Sequence, residues 1–183
     1  MQRKLKMIRF VFSSLLIFLL LVSCTSKETP KQTSQLTSKK VVLDDIEMLF
    51  GTIDKKQLYF DYPEWKTEED FYQPDSATIE ALKSVNGRYK VDIFLGTWCS
   101  DSEREVPHFF KIIQQANLQN KLSLQLYAVN RKLKLENDLT DRLKIERVPT
   151  FIFYQNDKEI GRIVETPNDL LEKDLLTILS KTK

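Results

Sequence analysis

Cys99 stands in the stretch GTWCSDSEREVP, residues 96–107. A Trp-Cys pair ahead of a helical stripe is the opening half of a redox Cys-x-x-Cys site, but the residue three places on is Ser102. A lone sulfur can still attack a disulfide and form a mixed disulfide; it lacks the neighbouring thiol that would release the product internally. Release falls to a small thiol, a partner protein or the substrate's own cysteine. That permits disulfide reshuffling, removal of thiol caps, or reduction of sulfenic acids with outside help, and excludes an autonomous dithiol oxidase or reductase. Backbone N–H groups at the start of the following helix favour the thiolate. Ser102, one turn on, can donate its hydroxyl to the sulfur. Asp101 and Glu103 oppose the thiolate, and Arg104 and Arg147 are the cations that can offset them. His108 lies more than two helical turns beyond Cys99, too far for direct contact.

The other cysteine, Cys24, has a different setting. Arg3, Lys4, Lys6 and Arg9 precede an apolar run, residues 10–22, of the length of a secretion-signal core. LVSC, residues 21–24, resembles the lipobox of bacterial lipoproteins, in which the cysteine is lipidated and becomes the new N-terminus. The plainer alternative is an ordinary signal peptide or an uncleaved anchor with Cys24 nearby. A thioether at Cys24 makes Cys99 the single free thiol and removes any internal disulfide. Membrane tethering through the lipid follows, with a location in the bacterial cell envelope. The expected side is periplasmic or outer-membrane, and Thr25, in place of the aspartate some bacteria use for inner-membrane retention, favours the outer membrane.

Charge and composition remove other classes. The 28 basic and 26 acidic side chains give +2; without the four basic residues before Cys24 the balance is 24 against 26, or −2. A nucleic-acid partner is not expected at that balance. With one histidine and one free cysteine, no metal site of the usual zinc kind is expected, and no cofactor is called for.

The elements that must position Cys99 follow from periodicity. Residues 1–23 read as the signal and 24–40 as the lipidated cysteine and a flexible tether. Residues 41–74 form an aromatic-rich, irregular lead-in, and residues 75–183 the main domain. Within that domain a helix is expected over 74–87, capped by Asp75 or Ser76 and stopped at Asn86-Gly87. Residues 88–95 alternate as a strand. A helix runs from Cys99 to about Ala116 with Val106, Phe109, Phe110 and Ile113 on one face. A strand over 122–129 and a polar, irregular helix over 133–145 come next. Two strands joined by Asn156-Asp157 read as a hairpin. The last helix is expected to start at TPND, with Thr166 as cap and Pro167 as its first residue.

This order resembles the thioredoxin fold, an α/β architecture with a mixed central sheet and helices on both faces. Trp98, Cys99 and Pro107 match the thioredoxin W-C-x-x-C-x-x-x-x-P pattern, with Ser102 in place of the second cysteine. RVPT, residues 147–150, matches the cis-proline loop that faces the active cysteine, with Pro149 as the cis residue. More narrowly, the motifs resemble a group of bacterial thioredoxin-family lipoproteins with W-C-x-D-S. The resemblance implies a site of Cys99 and Ser102 surrounded by Trp98, Ser100, Asp101, Arg147, Val148, Pro149 and Thr150, with Val148 able to pair with an extended substrate. Where dithiol thioredoxins bury an aspartate that serves the second cysteine, this chain has Ile93; Asp92 falls on the opposite strand face.

The resulting expectation is a membrane-tethered, single-cysteine thiol–disulfide exchange protein whose partners are protein or small-molecule thiols and disulfides. The alternative is a redox-inactive binding or assembly lipoprotein that uses the same groove.

Overall fold

The computed structural model describes residues 39–43 and 45–181. The expected signal segment, Cys24 and the tether up to residue 38 lie outside the described residues. Lys39 and Lys40 open a strand, β1 (Lys39–Leu43), which pairs antiparallel with β2 (Ile46–Ile53). Two helices follow, α1 (Lys55–Asp61) and α2 (Pro63–Phe71). The lead-in is therefore ordered secondary structure and not irregular chain. Its signals are local: Asp54 caps α1 by accepting from the Gln57 N–H at 2.7 Å, and Pro63 opens α2, where a missing N–H costs nothing.

The remainder runs α3 (Ser76–Lys83), β3 (Tyr89–Leu95), α4 (Ser100–Gln115), β4 (Leu122–Ala128), α5 (Leu139–Arg142), β5 (Thr150–Gln155), β6 (Lys158–Val164) and α6 (Leu171–Ser180). Asp75 caps α3 as expected, accepting from the Thr78 N–H at 2.8 Å. Asn156 and Asp157 both take positive φ, as a tight hairpin between β5 and β6 requires.

Two expectations change. The polar helix over 133–145 contracts to the single turn of α5. The last helix starts at Leu171 and not at Pro167, with Leu170 as its N-cap. Thr166 caps nothing; Asp174, inside the helix, reaches back to accept from the Asn168 N–H at 2.8 Å.

The six strands form one mixed sheet in the order β1-β2-β4-β3-β5-β6. β3 and β4 are parallel and joined through α4, while the other neighbours are antiparallel. Strand alternation splits the side chains between two faces. Val91, Ile93 and Leu95 of β3 and Phe151 and Phe153 of β5 enter the main core, with buried residues from α1, α2, α3, α4 and α6. The α4 stripe of Val106, Phe109, Phe110 and Ile113 is buried against it; each such side chain contributes about 1.5–3 kcal/mol. Phe109 packs its ring 4.9 Å from Phe151 and 6.0 Å from Phe153. The opposite face holds a smaller cluster of Phe94, Val129, Ile145, Val148 and Ile152, covered by α5 and its flanking loops. Trp98 and Cys99 pack against this second cluster.

Candidate active site

Cys99 is the N-cap of α4, with extended backbone (φ −109°, ψ 120°) and no side-chain capping bond. It is partly exposed and not in a disulfide. Its thiol donates to the carbonyl of Val148 at 3.3 Å, and the Val148–Pro149 peptide is cis. The Cys99 turn and the RVPT loop thus meet across 49 residues of chain. The loop is tied on its far side as well: the Glu165 N–H donates to the Pro149 carbonyl at 2.7 Å, and the Thr150 hydroxyl to the Arg147 carbonyl at 2.7 Å.

Trp98 is fixed by its indole N–H, which donates to the Val129 carbonyl at 2.9 Å. Its ring lies over Gly96 so closely that a Cβ at position 96 would come within 2.6 Å of it. Any side chain there would displace the ring. Thr97 accepts from the Leu49 N–H at 3.2 Å, which ties β2 directly to the cysteine turn. Motif reading passes over Thr97 because its partner lies in the lead-in. Ser100 is exposed and Asp101 partly so, at the first turn of α4.

Ser102 is fully buried, and its hydroxyl oxygen accepts from the Gly96 N–H at 3.2 Å. No hydrogen bond among the described residues joins it to the sulfur, in contrast to the expected donation. A buried hydroxyl needs a partner, and the turn supplies one of its own backbone groups. Ser102 therefore closes the loop that carries Trp98 and Cys99.

The charges near the sulfur are largely committed elsewhere. Arg104 donates to Asp101 at 2.8 Å and to the buried Glu105 at 2.8 Å. The hydrogen bond to Glu105, with the bond to Asp101 adding to it, holds the Arg104 guanidinium above its ordinary pKa. Arg147 pairs with Glu165, the residue that follows β6. His108 stacks on Tyr72 with ring centres 3.7 Å apart and bonds to Glu68 of α2 at 2.8 Å, so it is engaged well away from Cys99. Ile93 lies in the main core. Asp92 is buried on the other face beside Lys90, 3.1 Å from its ammonium, as strand parity requires.

Other buried carboxylates are structural ties outside this site. Glu69 meets Lys55 at 2.7 Å and the Tyr59 hydroxyl, and Glu172 accepts from the Tyr72 hydroxyl at 2.8 Å and the Asp75 N–H at 2.6 Å. A shallow pocket of about 250 Å³ between Lys55, Phe110 and Gln125 has no residue of the cysteine site in its wall.

A protein-family model described as thioredoxin matches residues 62–177. No curated protein matches. Among solved structures, a protein of unknown function from Pseudomonas aeruginosa is 20% identical with a TM-score of 0.51, covering 72% of this chain and 88% of that one. Thioredoxin f2 of Chlamydomonas reinhardtii is 21% identical with a TM-score of 0.40, covering 60% and 94%. Mitochondrial thioredoxin 3 of Saccharomyces cerevisiae in its oxidized form is 19% identical with a TM-score of 0.39, covering 58% and 88%. The family match spans most of the chain, from α2 into α6, and takes in both Cys99 and the cis-proline loop; the chain belongs to the thioredoxin family.

Proposed function

We propose that this protein performs single-cysteine thiol–disulfide exchange at Cys99, tethered to the bacterial cell envelope through a lipid on Cys24. The observation that carries the reading is the partly exposed Cys99 thiol at the start of α4, within 3.3 Å of the Val148 carbonyl. The Cys99 thiolate attacks one sulfur of a partner disulfide. That S–S bond breaks, an Sγ–S bond forms, and the displaced sulfur leaves as a thiolate that takes up a proton. Cys99 is oxidised to the disulfide level as the leaving sulfur is reduced. An external thiol then attacks the mixed disulfide and regenerates Cys99, because position 102 offers a hydroxyl and no sulfur. Ser102 acts by holding the turn, its hydroxyl oxygen accepting from the Gly96 N–H. Arg147, Val148, Pro149 and Thr150 form the wall against which the partner lies. The lipid anchor rests on the order of basic residues, apolar run and LVSC.

A second reading, a redox-inactive binding lipoprotein, draws support from the pairing of Arg104 and Arg147, the cations first expected at the sulfur, with carboxylates. The two are separated by incubating the full chain with glutathione disulfide and by trapping partners in cells. Exchange predicts a glutathione adduct on Cys99 by mass spectrometry and disulfide-linked partners, both lost in Cys99→Ala. An unreactive Cys99, with partner capture unchanged in Cys99→Ala, rejects exchange in favour of binding.

A further inference from the structure

The cations around the cysteine turn fall into two sets. Arg104 and Arg147, the two that sequence suggests, are held by carboxylates, as are Arg142 and Arg162 farther off. Arg131 differs. It is exposed, and its guanidinium carbon sits 5.6 Å from the centre of the Trp98 ring, the residue next to Cys99. That ring is its contact among the described residues. A cation–π contact leaves the N–H donors of a guanidinium available for a planar anion.

The placement is built into the turn. Asn130 accepts through its side-chain oxygen from the Lys132 N–H at 3.0 Å and the Lys134 N–H at 2.9 Å, and through its carbonyl from the Leu133 N–H at 2.9 Å. Leu133 takes a positive φ of 57° to complete it and packs onto the second cluster. One residue before Asn130, the Val129 carbonyl receives the Trp98 indole N–H. The turn bearing Arg131 and the turn bearing Cys99 are therefore tied to each other through Trp98. Lys134 is drawn off by Asp141, which leaves Arg131 as the cation placed on the tryptophan.

We propose that Arg131 is a specificity residue that selects disulfides carrying an anionic group beside the reacting sulfur. It receives a carboxylate of the incoming partner while Cys99 attacks. The proposal rests on the exchange reading of Cys99 and names the substrate class for it.

The test measures rates of adduct formation at Cys99 in the full chain, in detergent at low salt, with dithiodiglycolate as an anionic disulfide, hydroxyethyl disulfide as a neutral one and cystamine as a cationic one. Arg131→Gln is expected to lower the dithiodiglycolate rate by about fivefold relative to hydroxyethyl disulfide, and to raise the cystamine rate. Arg131→Lys is expected to keep most of the preference, and added salt to erase it. An unchanged ratio between the probes in Arg131→Gln overturns the proposal. So does an equal fall with all of them, which would assign Arg131 to the packing of Trp98 or to the sulfur itself. Adducts with unaltered selectivity defeat Arg131 alone; no adduct with any probe in the unaltered chain defeats the exchange reading and the Arg131 proposal with it.

Discussion

The two faces of the sheet are built for different work. One is covered by α1, α2, α3, α4 and α6 and buries aromatic and aliphatic side chains from every layer. The other carries a five-residue cluster under a one-turn helix and loops, and it is this face that receives Trp98, Cys99 and the cis-proline loop. Helix α4 serves both: its apolar stripe belongs to the first face and its N-cap, Cys99, to the second. The contrast shows how a reactive group can stand on a thin cover. The first face supplies stability in bulk, so the second can use backbone carbonyls, turns and a stacked cation to shape a site.

Substitutions on each face test that division. The largest effect is expected from Phe109→Ala, which empties a fully buried site between Phe151 and Phe153. It should lower stability by about 3–5 kcal/mol in denaturant titration, while Cys99 in the remaining folded protein keeps its probe selectivity. A change in that selectivity would break the division. Gly96→Ala acts on the second face. Its Cβ would come within 2.6 Å of the Trp98 ring, which must shift. Stability should fall by about 1–2 kcal/mol, and the dithiodiglycolate preference should weaken as the Trp98–Arg131 contact is lost. Calorimetry and the adduct rates read the two quantities separately.

The smallest effect concerns pH. Burial, with the negative charges of Asp92 and Glu159 adding to it, pushes the Tyr154 hydroxyl up to about 12. A group whose pKa is raised on folding contributes stability that is complete below its unfolded value near 10. That contribution is lost as pH rises toward 12. Tyr154→Phe should therefore show a shallower loss of stability over that interval in thermal melts at stepped pH. An identical slope would remove Tyr154 from the account of this face.

What sequence could show of this site is set by the range of the interactions. The α4 stripe, the placement of Ile93 and Asp92 on opposite faces and the Asp75 cap are local, and periodicity or one hydrogen bond decides each. The meeting of Cys99 with Val148 is remote in sequence, yet paired motifs marked both ends. The ties with at least one end that no motif marks could not be read: Leu49 to Thr97, Glu165 to Arg147, Arg131 to Trp98. Each depends on which side chains the sheet brings together, and no spacing encodes that. The lead-in was obscured for another reason. β2 buries Met48 and Leu49 in succession, which hides the alternation of a strand, and α1 and α2 are each too short for a clear helical stripe.

The bond from the Gly96 N–H to the Ser102 hydroxyl bears on what a second sulfur at that position would cost. A hydroxyl oxygen is a good acceptor and a thiol sulfur a poor one. A cysteine at position 102 would supply a second sulfur, but it would also weaken the tie that closes the turn beneath Trp98. The step to a dithiol site is therefore not a single exchange of atoms. Ser102→Cys is expected to add a second sulfur at a cost of about 1 kcal/mol in the stability of the turn.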